Sequence, residues 1–118
     1  MNVIIIILIG IIFASVGQIF WKIGMNSMGP ITNYAPSTII ATFLNPYILS
    51  GLAMYGLGTI FWLIALSKKD LSFVYPFIAL TFIIVLMLSS VILKENIGIY
   101  RIIGTFIIIL GLIFIMKT

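Results

Sequence analysis

Four long apolar runs divide the chain, over 3–22, 47–66, 71–93 and 97–116, and the polar clusters between them are mostly short. Each run is close to the roughly 20 residues that an α-helix rising about 1.5 Å per residue needs to cross a bilayer core. The runs are apolar all round, without the two-residue alternation of a half-buried strand. This pattern predicts an all-α integral membrane protein, a four-transmembrane-helix bundle forming a single domain over 1–118. Ser67-Lys68-Lys69-Asp70 is so tight a connection that the second and third helices must be antiparallel neighbours. Lys94-Glu95-Asn96 separates the third from the fourth.

One connection is longer. Between Gly24 and Pro46 the residues Asn26, Ser27, Gly29, Pro30, Asn33 and Pro36 are turn formers. Its middle, 37–44, is expected to form a short interfacial helix capped by Ser37, either a gate over a substrate path or a simple connector. The first run differs from a secretory signal: Met1-Asn2 supplies no basic segment, the run is too long, and no small-residue cleavage site follows.

Composition sharpens this picture. With 64% hydrophobic and 7% charged residues among 118 and a mean hydropathy of +1.40, a soluble domain is excluded, and so is room for an extramembrane catalytic domain. No enzyme is therefore expected. The absence of Cys and His removes disulfides, thiol nucleophiles and the usual zinc, haem and iron–sulfur ligands, so neither metal nor cofactor is expected. The net charge of +4 does not point to nucleic acid, because the six cations sit at the ends of apolar runs and form no stripe. With four spans, Lys68, Lys69 and Lys117 fall on one membrane side and Lys22, Lys94 and Arg101 on the other. Lys and Arg near helix ends set orientation. This even split allows insertion both ways and an antiparallel dimer, unless the longer first loop or a partner settles one orientation.

Several faces carry chemistry. Ser15, Gln18 and Lys22 are spaced by three and four, so they share a face of the first helix that climbs towards one membrane surface. An ionised Lys at mid-membrane costs about 2.5–3.5 kcal/mol, and less near a helix end where it can snorkel. Lys22 is thus either the cation of a wet groove that meets an anionic headgroup or an interface anchor. Gln18 is either part of that groove or an interhelical hydrogen bond. Gly10, Ala14 and Gly17 make a small-residue packing face. On the second helix Gly51, Tyr55, Gly58 and Trp62 share a face, with Tyr55 and Trp62 either lining a channel or packing between helices. Pro76 predicts a bend near the start of the third helix, beside Tyr75, Ala79 and Phe82, and broken helices often build transporter sites. Gly104, Ile108, Gly111 and Ile115 form a narrow seam on the fourth helix suited to a second copy. Arg101, one turn before it, either holds a phosphate bidentately or pairs with Glu95.

A proton-coupled exporter of cations needs an ionisable acid inside the membrane. The only acids here, Asp70 and Glu95, lie in turns. Lys22 is the sole intramembrane candidate, and it favours an anionic headgroup.

Ala14-Ser15-Val16-Gly17-Gln18 before Lys22, and Ile103-Gly104-Thr105-Phe106 with Leu110-Gly111, resemble the small multidrug resistance family of the drug/metabolite transporter superfamily. Phe73-Val74-Tyr75-Pro76, Leu80-Thr81-Phe82 and Leu93-Lys94-Glu95 are most similar to one branch, the small subunits of the undecaprenyl-phosphate aminoarabinose flippase. Drug exporters of the family carry a Glu where this chain has Ala14, a departure that argues against proton-driven drug export. The resemblance implies a multi-pass transporter of the cytoplasmic membrane that flips a polyprenyl-phosphate-linked sugar or aminosugar. It further implies Lys22, with Arg101, neutralising the phosphate, and a homodimer or a heterodimer with a paralogue. Drug or cation export, or a non-transporting accessory subunit, are the alternatives.

Overall fold

The computed structural model describes residues 2–117; Met1 and Thr118, the ends of the expected domain, lie outside the described residues. The described residues form helices and no strand: α1 (Val3–Met28), α2 (Pro36–Phe43), α3 (Pro46–Leu66), α4 (Leu71–Val74), a 3-10 turn (Tyr75–Phe77), α5 (Ile78–Val91) and α6 (Ile99–Met116). With α4, the turn and α5 taken as one segment, four stretches are long and apolar enough to span a bilayer: Val3–Met28, Pro46–Leu66, Leu71–Val91 and Ile99–Met116. The protein is an all-α, four-spanning membrane protein.

Local chemistry sets the ends of these helices. The Asn2 side chain accepts the Ile4 N–H at 2.9 Å and starts α1. Neither Lys22 nor Gly24 stops that helix. It runs six residues past Lys22 to Gly29, whose φ of 78° suits glycine and whose N–H returns to the Met25 carbonyl. Lys22 is therefore a position within the helix. Ser37 does not cap α2. The helix begins earlier, with Ala35 as N-cap and Pro36 in its first turn, because the fixed φ of proline already suits a first helical residue. Asn45 caps α3, accepting Tyr47 N–H at 2.9 Å ahead of Pro46 in the first turn.

Packing is governed by small residues on two antiparallel helices. Gly10, Gly17 and Gly24 recur every seven residues on α1, and Gly51, Gly58 and the fully buried Ala65 do so on α3. A Cβ on Gly17 would lie 2.7 Å from the Gly51 carbonyl oxygen, and one on Gly58 would lie 2.6 Å from that of Gly10. The two backbones are thus in direct contact at two levels, the close approach that small residues permit in lipid. Ring stacking reinforces the pair: Phe13 on Phe61 at 5.9 Å, Trp21 on Tyr55 at 5.1 Å and Phe20 on Tyr47 at 6.4 Å between centroids.

The third span is broken at Pro76. Lacking an N–H, proline cannot complete the α-helical ladder, and the chain tightens into the 3-10 turn that joins α4 to α5. Val74 at the end of α4 and Phe77 in the turn are buried in one cluster with Ile6, Ile7, Ile11, Ala65 and Leu112, so the apolar core gathers toward the Lys68–Lys69 end of the bundle. Helix α6 is more loosely attached, through Thr105 and Leu112, while Gly104 and Gly111 have open space where a Cβ would stand.

Candidate functional site

A cavity of about 150 Å³ opens between α1, α3 and α5. α1 lines it from Gly10 to Gln18, a stretch of about 12 Å at 1.5 Å per residue that straddles the middle of that helix. Tyr55, Gly58, Thr59 and Trp62 come from α3, and Ile78 and Thr81 from α5. The bare backbones of Gly10 and Gly58 bring the two helices together here, and the turn at Pro76 sets the path along which Ile78 and Thr81 approach. Transporter sites commonly lie at such mid-membrane depth beside a broken helix.

The lining carries five polar side chains and no ionisable acid or base other than the Tyr55 phenol. Thr59 donates its hydroxyl to the Tyr55 carbonyl at 3.0 Å, which leaves its oxygen as an acceptor. Gln18, the Tyr55 hydroxyl, the Trp62 indole N–H and Thr81 make no side-chain hydrogen bond among the described residues. Trp21 braces the site from behind: its ring stacks on Tyr55, and its buried indole N–H, packed over Gly51, has no partner among the described residues.

The residues expected from sequence are divided. Gln18, Tyr55 and Trp62 meet in the cavity. Ser15 does not line it; the side chain is fully buried and donates to the Ile11 carbonyl at 2.7 Å. Lys22 lies about 6 Å further along α1 than Gln18, is exposed, and lines neither this cavity nor a second one. Tyr75 is 60% exposed in the 3-10 turn, toward the Lys68–Lys69 end. Arg101 lines the second cavity, about 250 Å³ between α5 and α6, together with Ser89 and Glu95. Arg101 and Glu95 form no ion pair among the described residues, so the pairing considered for them is not made. Thr59 and Thr81 were not singled out by sequence reasoning. Thr59 lies four residues after Tyr55 and three before Trp62, and that spacing places it beside both.

The sequence profile of the EamA-like transporter family matches residues 44–117, more than half of the chain. The chain belongs to the EamA-like transporter family. Among its relatives, the probable 4-amino-4-deoxy-L-arabinose-phosphoundecaprenol flippase subunit ArnE of Proteus mirabilis is 33% identical over 57% of this chain and 59% of its own length. ArnE of Pseudomonas savastanoi is 25% identical over 62% of this chain and 64% of its own length. The matched stretches thus cover less than two thirds of either ArnE. The probable flippase subunit ArnF of Shewanella sediminis is 27% identical over 92% of this chain and 83% of its own. No solved structure matches. This EamA-like chain is thus a small, multi-pass transporter-family protein of the inner membrane.

Proposed function

We propose that this protein is a small flippase that moves an anionic lipid-linked substrate, a polyprenyl-phosphate-linked sugar or aminosugar, across the cytoplasmic membrane. The observation that carries this reading is a cavity at the middle of α1 in which four of the five polar side chains have no hydrogen-bond partner among the described residues and whose lining holds no carboxylate. A cation exporter needs a counter-charge there, and a headgroup rich in hydroxyls does not. The names of ArnE and ArnF, flippase subunits for a sugar-bearing phosphoundecaprenol, support the same class.

In this reading the sugar enters among Gln18, Tyr55, Thr59, Trp62 and Thr81, while the phosphate stays nearer the surface, attracted by Lys22 with Arg101 on the same side. Ser15 and Tyr75 act on the substrate only indirectly, through packing and the helix break. The isoprenoid chain remains in lipid. No covalent step is involved. A partner, either a second copy or a paralogue, packs on the α6 face that carries Gly104 and Gly111, where this chain leaves open space.

Transbilayer movement of a polyprenyl-phosphate sugar in reconstituted vesicles tests the proposal. Wild-type protein accelerates movement. Gln18→Leu reduces the rate at least tenfold, and Lys22→Ala reduces it several-fold, with the Lys22 effect shrinking as salt screens the headgroup attraction. Vesicles in which wild-type protein moves no such lipid, alone or with a co-purified paralogue, would defeat the proposal. Equal rates for Lys22→Ala and wild type would remove Lys22 from it.

A further inference from the structure

The second cavity, between α5 and α6, has an apolar wall at Phe82, Val85 and Leu86 and a charged edge at Glu95 and Arg101. Phe82 lies one turn after Ile78, and Val85 one turn after Thr81, so this cavity continues the stripe of α5 that walls the first one. Because α5 runs from the Lys68–Lys69 end toward Lys94, the second cavity is also the nearer to the membrane surface that carries Lys22, Lys94 and Arg101. A headgroup moving inward along α5 from that surface meets it first.

Both charged residues are held in place by their main chains. Lys94, with φ of 55°, turns the connection so that the Glu95 N–H reaches the Ser89 carbonyl at 3.1 Å. Arg101 stands in the first turn of α6, where the Thr105 hydroxyl donates to its carbonyl at 2.6 Å. Glu95 is half-buried and Arg101 exposed, and neither side chain has a hydrogen-bond or ion-pair partner among the described residues. An acid and a base that share a cavity without meeting give it one negative and one positive pole. A ligand with a single charge is drawn to one pole and repelled by the other, whereas a headgroup bearing both a phosphate and an amine satisfies the two. The guanidinium suits two phosphate oxygens at once, and the carboxylate accepts from an ammonium. The first cavity offers neither group. Asp70, the other acid, lies in the turn before α4 at the opposite end, so Glu95 is the only acidic side chain on the Lys22 side.

We propose that the α5–α6 cavity is a headgroup-docking site on the Lys22 side, in which Arg101 holds the phosphate of the lipid and Glu95 the amine on its sugar. The prenyl chain lies along the apolar wall. This rests on the lipid-flippase reading for the carrier; what it adds is a second site, and Glu95 as the residue that sets a preference for an amine-bearing sugar.

The full-length protein in detergent is given a radiolabelled short-chain prenyl phosphate carrying an aminopentose. Binding is compared with that of the same lipid after N-acetylation, which removes the positive charge and keeps the phosphate. Short-chain phosphatidylethanolamine, which has a phosphate and an amine but neither sugar nor prenyl chain, is the competitor. The amine lipid binds at least tenfold more tightly than its acetylated form, and phosphatidylethanolamine displaces it only at tenfold excess or more. Glu95→Gln lowers the affinity for the amine lipid to that for the acetylated one and leaves the latter unchanged, while Arg101→Gln weakens both. Gel filtration establishes that the variants are folded, and the acetylation comparison needs no variant.

Equal affinities for the amine and acetylated lipids, equal effects of Glu95→Gln on both, or no binding of either would overturn the inference. Displacement by an equal concentration of phosphatidylethanolamine would overturn it too and assign the cavity to bulk phospholipid. Selective, Glu95-dependent binding without transbilayer movement in vesicles would sustain it and sink the flippase reading instead. Movement of both sugar lipids at equal rates, indifferent to Glu95→Gln, would do the opposite.

Discussion

At the residue scale, the glycines separate into two kinds that the sequence alone does not distinguish. Gly17 and Gly58 face the backbone of the opposing helix at distances no Cβ tolerates, whereas Gly104 and Gly111 face nothing in this chain. Gly17→Ala and Gly58→Ala must push α1 and α3 apart, and each is expected to destabilise the fold by about 1–3 kcal/mol in a detergent unfolding titration. Gly104→Ala leaves that titration unchanged and instead weakens association, read as a shift toward monomer in analytical ultracentrifugation. The residue scale is also where sequence reading fell short. Spacing placed Ser15, Gln18 and Lys22 on one helical face. It could not say that the face is buried at Ser15, opens into a cavity at Gln18 and is exposed at Lys22, because that depends on where α3 and α5 end their contact with α1.

At the element scale, hydropathy made the spans legible while their ends depended on particular residues. The apolar runs located all four helices, since only helices satisfy their own backbone within lipid. Pro76 announced the break in the third span. The end of α1 was less readable, because Gly24 resembles a stop signal but is a contact residue: its Cβ would meet Ile48 and the capping side chain of Asn45 at 3.0–3.1 Å. The connection after α5 holds another such position. Lys94 has φ of 55°, and this left-handed residue turns the chain so that the Glu95 N–H reaches the Ser89 carbonyl at 3.1 Å. A residue with a Cβ is disfavoured there by about 1–2 kcal/mol. Lys94→Gly is therefore expected to raise stability by about 1 kcal/mol in the same titration, with Lys94→Val lowering it.

On the scale of the whole molecule, charge and packing are distributed differently. The cations divide evenly, Lys68, Lys69 and Lys117 at one end and Lys22, Lys94 and Arg101 at the other, with Lys69 lying over the Phe73 ring at 5.5 Å. Reporters fused after Thr118 are expected to give signal from both membrane faces, and adding two lysines to the 67–70 turn collapses this to one. A single-sided signal from the unmodified chain would reject dual insertion. The buried core, by contrast, is concentrated at one end, where Ile6, Ile7, Ala65, Val74, Phe77 and Leu112 meet. No feature of composition reveals that asymmetry. It arises because the proline turn folds Val74 and Phe77 inward and leaves α6 touching its neighbours at few points.

The glycine contact between α1 and α3 also decides which wall of the cavity can move. Two rods whose main chains touch have no slack for sliding apart, so this pair behaves as a fixed anvil. If the proposed flippase function holds, the opposing wall, carrying Ile78 and Thr81 just past the break at Pro76, is the jaw, and a headgroup would be admitted or released there.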